Sequence, residues 1–154
     1  MKHLFKYNWQ IREEWILLLE QLDSEELMKE RVGGVGSFLR TIFHIVDVEY
    51  SWVCAMMGKP VEDPDFADYQ TLEAVRELSK QYHNEIADYI NNWTGDQDHD
   101  QVIVPWSGET MALGEIVRHV VAHEIHHIGQ LSVWARELGI KPVDPNFIHR
   151  NLLS

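Results

Sequence analysis

His119-Val120-Val121-Ala122-His123-Glu124-Ile125-His126-His127-Ile128-Gly129-Gln130-Leu131 gathers more potential metal ligands than any other stretch of this 154-residue chain. At about 100° per residue, positions 119, 123, 126, 127 and 130 fall within roughly 100° of one another on a helix, which makes one face polar and rich in imidazole. Val117, Val120, Val121, Ile125, Ile128, Leu131 and Trp134 supply apolar flanks, so the segment reads as a helix lying in or beside a core. Burying several imidazoles without partners is costly. A divalent cation removes that cost, because neutral imidazole nitrogen is a good ligand for Zn, Ni, Cu or Fe. His123 and His127 stand one turn apart, the spacing at which two side chains of a helix grip one ion. A lone helical histidine is ordinarily a hydrogen-bonded core or surface residue, but four within nine residues favour a metal.

The rest of the chain supplies helices for that one to pack against. Leu4, Tyr7, Ile11, Trp15, Leu18, Leu19 and Leu22 repeat in threes and fours and predict a long amphipathic helix. A short turn capped by Asp23 or Ser24 follows, and Gly33-Gly34-Val35-Gly36 breaks the pattern. Ser37 is placed to cap a second long helix with Phe38, Leu39, Ile42, Phe43, Val46, Tyr50 and Val53 on its apolar side, ending near Gly58-Lys59-Pro60. After an acidic loop, Thr71 caps a third, which runs through Leu72, Val75, Leu78, Tyr82, Ile86 and Ile90 to Trp93. Gln101 to Thr110 suggests two very short strands about a turn. The last helix runs from near Leu113 to about Leu138, where Gly139 stops it and Pro142 and Pro145 prevent its return; Asn146 to Ser154 reads as irregular. The architecture expected is all-α, a four-helix bundle with a hairpin-like connection before the last helix, forming one domain over residues 1–154. Bundles build metal sites from inward side chains on different helices. His44, in the middle of the second long helix and next to its apolar face, is the candidate there. His3, His99 and His149 lie near termini or in a loop, and His83 among polar neighbours.

Composition limits the partners. A net charge of −12 argues against a nucleic-acid backbone or an anionic membrane surface. No apolar run approaches a membrane span. The single Cys54 cannot form an internal disulfide and the N-terminus lacks a signal-peptide core, so a cytoplasmic protein acting on a small molecule is the expectation.

His123-Glu124-Ile125-His126-His127 spells H-E-x-x-H, the signature of zinc peptidases in which glutamate is the general base. Its context is missing. Gln130 and Val133 stand where the metzincin extension needs glycine and histidine, and too few residues follow the last helix to supply a later carboxylate ligand.

Tyr7-Asn8-Trp9 in the first helix, His44 in the second, the helix-breaking loop, and H-x-x-x-H-x-G-Q in the last helix, some eighty residues after His44, resemble the DinB/YfiT-like family of four-helix-bundle metalloproteins. The resemblance covers the chain from the first helix to about Leu138. It implies that His44, His123 and His127 are the metal ligands, that the protein is a homodimer, and that a low-molecular-weight thiol such as bacillithiol serves as co-substrate.

Three protein histidines leave a coordination position open, the pattern of a catalytic centre, and an open Zn or Ni generates a nucleophile near neutral pH. The function expected is therefore a divalent-metal-dependent transferase or hydrolase, in particular a thiol S-transferase. The alternatives are a non-enzymatic, stress-related metal-binding protein and, behind it, the peptidase. Gln130 and Glu124 are read as orienting a ligand or water at the metal face, Asp47 as an acceptor for an imidazole N–H, and Trp106 as a cover. His119 and His126 are the substitute ligands if the last helix is rotated.

Overall fold

The computed structural model describes residues 1–153. In chain order its elements are α1 (Lys2–Leu19), a single turn α2 (Ser24–Met28), α3 (Phe38–Met56), α4 (Leu72–Asn91), β1 (Gln101–Ile103), β2 (Thr110–Ala112) and α5 (Leu113–Glu137). The helix starts follow from their caps. Ser37 and Thr71 hold extended backbone, and their hydroxyls accept from the N–H groups of Arg40 (3.2 Å) and Ala74 (3.1 Å). Asp23 caps α2 in the same way through the N–H of Glu26. An alanine, Ala112, precedes α5 and cannot cap it, so the carboxylate of Glu115 reaches back to accept the Ala112 N–H at 3.3 Å. Two one-turn 3-10 segments, Phe66–Asp68 and Asp96–His99, lie in the stretches expected as loops.

The four long helices form a bundle in the ring order α1, α4, α3, α5. Helix α1 runs parallel to α5, with Asn8 level with Val121 and Arg12 with Glu124, and antiparallel to α4, with Trp9 beside His83 and Glu20 beside Arg76. Helix α3 is antiparallel to α5, pairing Phe38 with Trp134 and Trp52 with His119. These directions make α3 and α4 parallel, so the chain between them is a crossover running the length of the bundle. The small sheet is antiparallel, with Val102 opposite Met111, and leads straight into α5 through the bond from Leu113 N–H to the Asp100 carbonyl.

The core is built around Phe5, Ile11, Trp15, Phe38, Ile42, Tyr82, Ile86 and Leu131, all buried. Tyr50 and Tyr82 stack face to face at 3.6 Å between α3 and α4. The first helix differs in detail from the expectation. It ends at Leu19, leaving Leu22 outside it; Tyr7, Ile11, Trp15 and Leu19 are buried as expected, Phe5, Asn8, Arg12 and Ile16 widen the buried face, and Leu4 is at the surface. The face is broader than the apolar stripe because Arg12 points inward beside it. Among the described residues the chain after Gly139 forms no regular element; Tyr7 Oη donates to the Pro145 carbonyl at 2.6 Å, and Arg150 pairs with Glu14 at 2.7 Å. No helix among the described residues is long and apolar enough to cross a membrane.

Candidate metal centre

The antiparallel pairing of α3 with α5 carries the imidazole of His44 to the level of His123 and His127. His123 Nε2 lies 3.1 Å from His44 Nε2 and 3.1 Å from His127 Nε2, and one nitrogen from each ring falls within 4.8 Å of the others. Two imidazole nitrogens on one tetrahedral ion at about 2.1 Å stand roughly 3.4 Å apart, close to the two 3.1 Å separations made by His123.

The protonation state suits one. His127 Nδ1 faces the Gln130 side-chain oxygen at 2.8 Å, an acceptor, which places the ring proton on Nδ1 and leaves the Nε2 lone pair turned toward His123. Burial, followed by the neighbouring imidazoles His127 and His44, pushes the pKa of His123 down to about 3. Burial likewise lowers His44, with His127 adding to it, and lowers His127 against the opposing effect of its bond to Gln130. Three neutral imidazoles whose lone pairs converge repel one another unless protons or a cation lie between them, and this donor set fits a divalent ion of the Zn or Ni type.

The other residues singled out from the sequence lie elsewhere. His126 is exposed, with Nε2 against the Gln130 amide nitrogen at 3.1 Å, and His119 packs on the ring of Trp52; neither joins the trio. Asp47 takes a hydrogen bond from Ser51 at 3.4 Å and makes none to an imidazole, since its side chain lies in the adjoining cleft. Trp106 stands against Trp52, lines that cleft, and does not cover the centre.

Glu124 departs furthest from its expected place. One residue on from His123 it is turned by about 100° into the bundle, where it is 1% exposed and held bidentately by Arg12, Nε to Oε1 at 2.9 Å and Nη2 to Oε2 at 2.6 Å. Arg12 also reaches Glu49 of α3 at 2.9 Å, and Trp9 Nε1 donates to the other oxygen of Glu49. A carboxylate so engaged has no path to a water on the histidine side. The H-E-x-x-H pentapeptide therefore lacks the base that defines the peptidase chemistry.

Sequence reasoning missed Arg12, Glu49, Trp52 and Gly34. Glu49 had a signal, since it falls at helical spacing between Val46 and Val53 on the buried side of α3. Gly34, in the left-handed region at φ +55°, lies against Gln130, and a Cβ there would collide with the Gln130 side-chain oxygen that orients His127.

Comparison with known proteins bears on the whole chain. The model of the DinB family matches residues 1–150. The uncharacterized protein YizA of Bacillus subtilis (strain 168) is 50% identical over 153 residues, 99% of this chain and 96% of that protein. A DinB-like protein from Bacillus cereus ATCC 10987, known from its crystal structure, has the same fold, with a TM-score of 0.69 over 91% of each chain at 17% identity.

Proposed function

The chain belongs to the DinB family, and from that premise we propose that it is a divalent-metal-dependent thiol S-transferase, joining a low-molecular-weight thiol such as bacillithiol to a small electrophile. The observation that carries the reading is the convergence of His44, His123 and His127, three neutral imidazoles from two helices. A bound ion with an open position supplies Lewis-acid activation, lowering the pKa of a thiol or water toward neutrality. The protein's own part is to hold three ligands and to fix one of them. His123 and His127 present adjacent turns of α5, His44 faces them from α3, and Gln130 locks the tautomer and ring plane of His127. In the overall reaction the thiol sulfur forms the new C–S bond, its proton goes to solvent, and the leaving group departs with the electron pair of the bond that breaks.

The first test is elemental analysis of untagged protein and of His44→Ala and His127→Ala. One Zn or Ni per wild-type chain, lost from both variants, is expected; a wild type that takes up no ion after incubation with either metal overturns the reading. Metal-loaded protein is then assayed for conjugation of bacillithiol to a panel of alkyl and aryl electrophiles. Retention of the ion with no conjugate formed would favour a second reading, a non-enzymatic metal-binding protein. Its specific support is that the ion would tie α3 to α5, so that chelation should lower the melting temperature sharply.

A further inference from the structure

Beside the histidine trio, between α3, the crossover and the hairpin, lies a cleft of about 510 Å³ whose walls differ in chemistry. One wall is aromatic. Trp52 and Trp106 meet nearly at right angles, 79° with centroids 4.7 Å apart, and Trp106 keeps 50% of its surface exposed. The other wall is acidic, with Asp47 of α3 and Glu62 and Asp63 of the crossover, and none of the side chains lining the cleft is basic. Val48, Val61 and Pro105 fill in between with apolar surface.

The cleft adjoins the candidate centre. Asp47 lies one turn from His44, the ring of Trp52 packs on His119, and His119 in turn packs on His123. Asp63 also lines the neighbouring cavity of about 600 Å³ that contains His44.

We propose that this cleft binds the positively charged nitrogen of a small organic cation, an alkyl- or arylalkyl-ammonium, and so sets the substrate class of the adjoining centre. The assignment of the cleft to that centre rests on the metalloenzyme reading above; the binding of the cation does not. The reasons are complementary. The half-exposed indole of Trp106, held edge-to-face against Trp52, offers aromatic surface whose negative quadrupole favours a cation, most of all one whose alkyl groups are weakly hydrated. Asp47 and Asp63 add formal charge, and no cation lines the cleft itself, Arg40 lining the neighbouring cavity, so the cleft disfavours an anionic ligand and leaves a neutral one with no electrostatic gain. Burial raises the Asp47 carboxyl above its ordinary pKa, partly offset by the Ser51 hydroxyl, and the charge of Asp63 adds to the rise; a bound ammonium opposes both effects. Glu62 is positioned from behind by the hydroxyl of Tyr82 at 3.0 Å, which fixes the acidic wall to α4.

The test is titration calorimetry of the full chain, metal-free and metal-loaded, with benzyltrimethylammonium as the probe and benzyl alcohol and benzoate as controls, together with the indole N–H resonances of Trp52 and Trp106. Saturable binding of the cation, roughly tenfold tighter than the alcohol, is expected, with both indole resonances shifting and no saturation by benzoate. Trp106→Ala, at an exposed site, and the isosteric Asp47→Asn should each weaken the cation about tenfold, with folding checked by circular dichroism. Equal binding of the alcohol or of benzoate, or undiminished cation binding in both variants, overturns the proposal. His127→Ala should leave cation binding intact. Loss of the metal reading and loss of this one are therefore seen in separate measurements.

Discussion

Gln130 is the residue on which the geometry of the centre turns, although it is not itself one of the three imidazoles. It accepts from Nδ1 of His127 and is backed by Gly34, whose missing side chain leaves room for the amide. Partners of this type typically change metal affinity by 10–100-fold when removed. Gln130→Leu, similar in volume but without an acceptor, should weaken Zn binding by about that range in competition with a chromogenic chelator, and Gln130→Glu should restore most of it. Equal affinity in the leucine variant and the wild type would show that His127 does not need the bond. Gly34→Ala attacks the same contact from the loop. It places a Cβ in a left-handed conformation and against the amide, so about 1 kcal/mol of stability should be lost in urea unfolding, with weaker metal binding beside it.

At the scale of elements, the two helices that carry the histidines are held together from behind by the first. Arg12 of α1 sits between Glu124 of α5 and Glu49 of α3, all three buried. Burial works against its charge, and the two carboxylates overcome that and hold the guanidinium above its ordinary pKa. Arg12→Met removes the only cation that these two carboxylates contact among the described residues, and a broken buried pair of this kind costs about 3–5 kcal/mol. The same substitution combined with Glu49→Gln and Glu124→Gln should recover a large part of the loss in urea unfolding. A single variant within about 1 kcal/mol of wild type would mean that the carboxylates are neutral in the fold. Glu124→Gln in an otherwise native chain should cost stability without abolishing metal binding, the opposite of what a general base would show.

The same elements show what could be read from the sequence. Helices with a uniform apolar stripe and a polar cap, α3 after Ser37 and α4 after Thr71, were legible almost to the residue, and so was the coincidence of His44 with the imidazole face of α5. The inward turn of Arg12 was not, because a charged residue beside an apolar stripe has the same periodicity whether it faces solvent or a buried partner. Only Glu49 and Glu124, distant in sequence, make its burial tolerable. Glu124 itself was misplaced for a related reason. The motif puts it next to His123 in the sequence, whereas the helix turns it away in space.

For the whole molecule, the three imidazoles make stability depend on pH in a direction that can be worked out. In the unfolded chain a histidine takes up its proton near 6.5, while in the fold His123 is held down to about 3, and His44 and His127 are also lowered. The unfolded state therefore binds more protons than the metal-free fold below about pH 6.5, and stability must decrease as the pH is lowered through that window. For His123 the decrease continues down to its folded pKa. A divalent ion binds only the neutral rings and only in the assembled site, so it stabilises the fold most at neutral pH, and acid releases it. Melting of metal-free wild type and of His123→Gln, followed from about pH 7.5 to 5, should give the wild type the steeper decline, since the variant has lost the most strongly shifted group. With Zn present the wild type alone should gain a plateau above neutrality that vanishes on acidification. Parallel slopes without metal would mean that the rings open to solvent and titrate normally in the absence of an ion. In that case it would be the cation, and not the helices, that brings His44 to His123 and His127.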